Sequence, residues 1–169
     1  MSKKIIMKEE NQKKRQIVNN WNIDDKIKEN QRDLLRKIFM NYDCKGEEYI
    51  SFKNAEIIVK KEIKKKLSSY KQQDRSKKKL NENKIITADE ILEKLVGSKL
   101  KCYYCKEDIR ILYEEVRDDK QWTLDRIDNS IGHNEDNVVI CCLKCNLQRR
   151  VRDDEKFKFT KQLKLKKIN

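Results

Sequence analysis

The 169-residue sequence contains no run of 18 or more apolar residues, and that absence excludes a transmembrane helix. It begins Met1-Ser-Lys-Lys-Ile-Ile-Met-Lys, charged before any apolar stretch develops, so it does not read as a secretory leader. Apolar material is scarce throughout: the hydrophobic set makes up 37% of the chain against 42% charged residues. That balance is too polar for a large buried core, so part of the chain is expected to be a solvated arm. There is no proline, and there are only three glycines and one histidine. With abundant Lys, Ile and Asn, this composition fits an AT-rich coding sequence. No internal repeat is present, and the length fits one domain, or one small domain with an extension.

What the chain has in excess is positive charge. Forty-two Lys+Arg against 29 Asp+Glu give a net charge of +13 and a pI near 9.4. A charge of that size favours a polyanionic partner, nucleic acid ahead of an anionic membrane surface. The charge is uneven: residues 1–100 hold 26 Lys+Arg and 16 Asp+Glu, a net of +10, and residues 101–169 hold 16 and 13, a net of +3. Five of the six cysteines lie in the second part, at 102, 105, 141, 142 and 145. For a chain whose start does not read as a leader, an intracellular reducing compartment is the expectation, and metal ligands come before disulfides. The sequence therefore divides into a basic, mainly helical region at 1–97, a compact cysteine module at 98–155 and a basic tail at 156–169.

In the first region, Ile23, Ile27, Leu34, Leu35, Ile38 and Phe39 recur at helical spacing behind Asp24 and Asp25. Phe52, Ala55, Val59, Ile63, Leu67 and Tyr70 form a second set, and a break is expected at Asn41–Glu48, around Gly46. The other faces of the second helix carry Lys60, Lys61, Lys64, Lys65 and Lys66. Such a face often serves only to keep a helix soluble. Residues 51–85, however, hold 12 Lys+Arg and four acids, which favours phosphate contacts without sequence preference. Residues 71–84 contain one apolar residue and read as a linker or solvated turn. Thr87-Ala-Asp-Glu90 is a capping-box pattern for a short helix stopped at Gly97.

Cys102-Tyr-Tyr-Cys105 and Cys142-Leu-Lys-Cys145 are two Cys-X-X-Cys pairs separated by 36 residues. Each pair makes a tight knuckle, and two knuckles complete a tetrahedral sulfur site suited to Zn²⁺. A redox role would need only one pair, and no thioredoxin-like βαβ pattern surrounds either. Cys141 competes with Cys142 but sits at a less suitable spacing, and Cys44 reads as an isolated buried or free thiol. Four thiolates leave no open position, so such a zinc folds the module and performs no chemistry. Between the knuckles, Trp122, Leu124 and Ile127 suggest one strand and Val138 to Ile140 a second, joined by a polar loop containing Gly132. Helical propensity from Asn146 to Arg152 completes an α+β, zinc-stapled ββα unit.

The stretch LDRIDNSIGHNEDNVVICCLKCNLQRR resembles the core of the HNH (ββα-metal, treble-clef) endonucleases. It is most similar to their four-cysteine branch, which includes the phage recombination endonuclease VII type. The resemblance spans about residues 100–152, and its marks are Asp125, Asn137 and Asn146 together with the paired knuckles. It implies a metal-dependent endonuclease acting on double-stranded DNA, with Asp125 and Asn146 holding Mg²⁺ or Mn²⁺. Such a hard cation takes oxygen ligands and keeps several waters. It implies that Asn137 pins the hairpin loop and that Arg149, Arg150 and Arg152, on the helix, face duplex phosphates. A viral or mobile-element origin follows from the resemblance alone.

One family feature is missing. The residue after the metal-binding Asp is usually His, the general base, and here it is Arg126, which cannot accept a proton. His133 in the hairpin loop is then either a displaced base or an exposed loop residue. Asp125 could alternatively cap a strand end and Asn146 a helix. The rival reading is a non-catalytic zinc module that binds nucleic acid. A zinc-stapled protein-interaction domain is a third. The oligomeric state, a dimer included, stays open.

Overall fold

A computed structural model describes residue 21 and residues 23–163 of the chain. The first 20 residues, and residues 164–169 of the expected basic tail, lie outside the described residues. Among those described there are six α-helices and one two-stranded antiparallel sheet, a mixed α and β architecture.

The apolar spacing that begins at Ile23 yields two helices, α1 (Asp25–Glu29) and α2 (Gln31–Phe39). Asn30 divides them, closing α1 with its backbone N–H while its side chain accepts the Asp33 amide to open α2. Ile23, Leu34, Leu35 and Ile38 are buried, whereas Phe39, the last helical residue, is exposed. After a turn in which Gly46 takes φ +79, α3 (Tyr49–Ser76) runs for 28 residues, about 42 Å at 1.5 Å per residue. Phe52, Ala55, Val59, Ile63 and Tyr70 bury one stripe of it.

The linker expected at 71–84 is corrected. Its first six residues are the last turns of α3. They lack apolar side chains, but Lys, Gln and Arg are good helix formers, and buried Asp74 anchors the end of the helix. The capping box at Thr87 forms: Thr87 Oγ1 accepts the Glu90 amide at 3.3 Å and Glu90 Oε2 accepts the Thr87 amide at 2.7 Å. They open α4 (Ala88–Gly97).

Strand β1 (Trp122–Arg126) pairs with β2 (Val138–Cys142) in the register Trp122↔Cys142 to Arg126↔Val138. Ile127, grouped with the first strand in the sequence, falls beyond it. β2 leads directly into α5 (Leu143–Arg149), and α6 (Asp154–Gln162) follows. The expected helix from Asn146 to Arg152 therefore starts earlier and stops at Arg149, because Arg150 adopts φ 55. α6 crosses the boundary drawn at 155, and its Phe157 packs edge-on against Tyr104 with ring centroids 5.0 Å apart.

The basic region and the cysteine-bearing part share one core. α2 and α3 pack on α4, and α4 packs on β2. Tyr113 donates its hydroxyl to Glu62 at 2.6 Å, and Trp21 Nε1 donates to the Tyr113 carbonyl at 2.9 Å. No helix among the described residues is long and apolar enough to cross a membrane.

Candidate metal centre and the adjoining cavity

The knuckle sulfurs of Cys102, Cys105, Cys142 and Cys145 all lie within 4.8 Å of one another, an arrangement that could hold a metal ion such as zinc. The local chain explains the convergence. Lys106 takes φ 61 and returns its amide to the Cys102 carbonyl at 3.0 Å, folding the first knuckle. In the second, Cys142 caps α5 and its sulfur accepts the Cys145 amide at 3.3 Å. Hydrogen bonds from Cys142 and Cys145 hold the Cys102 thiol far below its usual range. The same bond pushes Cys142 up to about 12. Four sulfurs this close together suit a shared cation, which each can ligate as a thiolate.

Cys141 does not join this cluster. It is fully buried on the other face of β2, its sulfur 3.2 Å from Thr123 Oγ1, and burial pushes its thiol well up. The choice between Cys141 and Cys142 is thus settled by strand alternation. Cys44 is a buried free thiol.

Beside the sulfur cluster lies a cavity of about 500 Å³ whose walls come from α3, β1, the hairpin loop and α5. Asp125, Arg126, His133, Asn146 and Arg150 all line it, together with Lys66, Tyr70, Lys77 and Asn129. Its one carboxylate, Asp125, stands against the cations Lys66, Lys77, Arg126 and Arg150. A larger cavity, about 780 Å³ beside α1, is lined by six carboxylates and repels a polyanion.

Asp125 is 6% exposed. Its Oδ2 accepts the Tyr104 hydroxyl at 2.8 Å and Arg149 Nε at 2.5 Å, while Oδ1 has one long bond from Arg149 Nη2 at 3.3 Å. Asn146 directs its Nδ2 to Thr123 Oγ1 and the Leu124 carbonyl, both at 3.1 Å. Its Oδ1 has no hydrogen-bond partner among the described residues. A carboxylate oxygen with spare lone pairs and a free amide oxygen on one cavity wall fit a hard divalent cation in donor type. Asn137 makes three bonds to the loop backbone: it receives the Asp128 amide and donates to the carbonyls of Asp128 and Gly132, each at 2.9 Å.

Several expected positions are corrected. Arg149 does not face solvent: it is 1% exposed and clamps Asp125, because an ionised carboxylate at that depth needs a counter-charge. Arg152 follows the helix and rests its guanidinium on Phe157, 5.9 Å from the ring centroid. Arg150 also lies past the helix end but remains on the cavity wall. Lys66 is not part of the open lysine face. Its ammonium sits over the rings of Trp122 and Tyr113 and donates to the Trp122 carbonyl, and burial pushes its pKa down to about 8. Lys60, Lys61, Lys64 and Lys65 are exposed, Lys60 paired with Glu56 at 2.7 Å.

His133 is not an exposed loop residue either. It is 4% exposed and stacked on Tyr70 with centroids 4.6 Å apart. Burial lowers its pKa, opposed by Asp74, whose Oδ1 lies 2.8 Å from Nδ1. Arg126 Nη1 lies 3.7 Å from that same carboxylate oxygen.

Sequence reasoning missed Tyr70, Asp74 and Tyr104. Tyr104 stood inside a knuckle and Tyr70 was read as core. Asp74 had a signal, since it is the only acid between Glu62 and Glu82 in a run rich in Lys and Arg. Compared with protein-family models, curated proteins and solved structures, the chain finds no match.

Proposed function

We propose that the protein is a metal-dependent DNA endonuclease of HNH type, with a structural zinc in the four-cysteine site. The observation that carries this reading is the cavity: Asp125, Asn146 and His133 line one space with four cations and no carboxylate besides Asp125. That lining suits a phosphodiester backbone. A hard divalent cation such as Mg²⁺ or Mn²⁺, held by Asp125 and Asn146, would supply charge neutralisation at the phosphate oxygens. Arg126, Arg150 and Lys77 orient the phosphate, and a side chain of the cavity takes the proton of the attacking water. Exposed Lys61 and Lys65 precede cavity-lining Ser69 at i, i+4 spacing and extend the cationic track along α3.

The second reading, a non-catalytic nucleic-acid-binding zinc module, is favoured by one observation. Arg149 already neutralises Asp125, which weakens its hold on a cation.

Plasmid cleavage by the zinc-loaded chain with Mg²⁺ or Mn²⁺ separates the two. The natural protein is expected to cut, and Asn146→Ala to cut at least about 10–100-fold more slowly. One zinc per chain is expected by metal analysis, and Cys102→Ser should lose it. A zinc-loaded protein that binds DNA and leaves it intact with every divalent ion is the non-catalytic module.

A further inference from the structure

Asp74 belongs to α3, outside the stretch that carries the family resemblance, yet both of its oxygens are engaged by one residue of the cavity wall, His133. Asp74 is 1% exposed. Its Oδ2 accepts the His133 backbone amide at 2.6 Å, and its Oδ1 faces His133 Nδ1 at 2.8 Å. An ionised carboxylate can only accept hydrogen bonds, so the proton of a neutral imidazole in this pairing sits on Nδ1. Arg126 Nη1 lies 3.7 Å from that same Oδ1. Nε2 then carries the lone pair. It has no hydrogen-bond partner among the described residues, and His133 lines the cavity that Asp125 and Asn146 also line.

One ring nitrogen is held by Asp74 and the other is left without a hydrogen-bond partner among the described residues. The surroundings maintain that arrangement. Tyr70 stacks on the ring with an interplanar angle of 30°. At Gly132 a Cβ would come within 2.6 Å of the Lys79 carbonyl and 2.8 Å of Asp74 Oδ2, so only glycine lets the loop approach α3 this closely.

We propose that Asp74 is a positioning residue that fixes His133 as the Nδ1–H tautomer and leaves Nε2 as the proton acceptor facing the cavity. The nuclease reading above supplies only the identity of the proton donor, the attacking water. In that step the water oxygen bonds to phosphorus while its proton passes to Nε2. One P–O ester bond breaks and the departing oxygen takes a proton from solvent. The imidazolium, stabilised by Asp74, later returns its proton to solvent. This resolves the absence of the usual base: Arg126 in its place is a counter-charge to the residue that orients His133.

Because His133 is the only histidine, ¹⁵N-histidine labelling of the full-length zinc-loaded protein reports on one ring. Long-range ¹H–¹⁵N correlation is expected to show a protonated Nδ1 and an unprotonated Nε2 at neutral pH. In Asp74→Asn the amide can accept the His133 amide while turning its NH₂ toward Nδ1, so the proton should move to Nε2. Plasmid cleavage should then fall about 10²–10⁴-fold in kcat with KM little changed, and His133→Ala should fall as far. A native ring protonated on Nε2 overturns the proposal, with no variant needed. So does an Asp74→Asn or His133→Ala protein that cuts at the native rate. The expected tautomer in a protein that never cuts DNA upholds the positioning role and removes the nuclease reading instead.

Discussion

Arg149 and Arg150 are neighbours with the same charge and opposite fates. Arg149 turns inward to Asp125, and Arg150, forced to φ 55 at the helix end, turns to the cavity wall. Removing one partner of a buried ion pair leaves an uncompensated charge, which costs on the order of 3–5 kcal/mol. Arg149→Ala is therefore expected to lower the stability of the zinc-loaded protein by about that amount in denaturant unfolding. A loss under about 1 kcal/mol would mean that Tyr104 alone suffices for Asp125. At this scale the four metal-site cysteines were legible in the sequence, because their spacing is local and the knuckle geometry follows from it. The Arg149 clamp was not, since the burial of Asp125 depends on how α5 lies across β1. His133 was singled out as a candidate base, but its pairing with Asp74 escaped for a similar reason: their 2.8 Å contact joins positions 59 residues apart.

Among the elements, the capping box, the buried stripe of α3 and the hairpin strands followed from local pattern. The end of α3 did not, because its last turns carry no apolar residue and are held by Tyr70 and Asp74 reaching into the other half of the chain. Tyr70 accepts the Leu124 amide at 3.0 Å, so α3 also holds the unpaired edge of β1. Between α3 and the hairpin loop there is no room for a methyl group at Gly132. Gly132→Ala should push the loop off the helix, because the obstructing Lys79 carbonyl is backbone and cannot swing aside. The expected outcome is a drop of about 1–3 kcal/mol in stability together with a changed His133 ring signal. The sulfur cluster, none of whose residues meets a Cβ at Gly132, should keep its zinc. An unchanged His133 spectrum in a stable Gly132→Ala protein would show that the loop is looser than this packing implies.

For the molecule as a whole, the uneven charge seen in the sequence leaves Lys60, Lys61, Lys64 and Lys65 exposed on α3, the same helix whose Lys66, Ser69 and Tyr70 line the cavity. Replacing Lys60, Lys61, Lys64 and Lys65 by Gln should weaken DNA binding and flatten its log–log salt dependence by about 0.9 for each phosphate that is no longer neutralised. An unaltered slope would place the duplex elsewhere. The division into a basic region and a cysteine module was legible as a gradient of charge. The shared core was hidden, because Glu62, Tyr70 and Asp74 are polar residues whose burial only their distant partners reveal. Their burial also has a temporal meaning. The His133 amide is locked to Asp74 Oδ2 at 2.6 Å across 59 residues, so no local fraying of the hairpin can release it while α3 stays docked. Its exchange with solvent deuterium is therefore expected to be among the slowest in the chain, tied to undocking of α3. A newly made chain can thus complete the site only after α3 and the hairpin loop have both been made and have met.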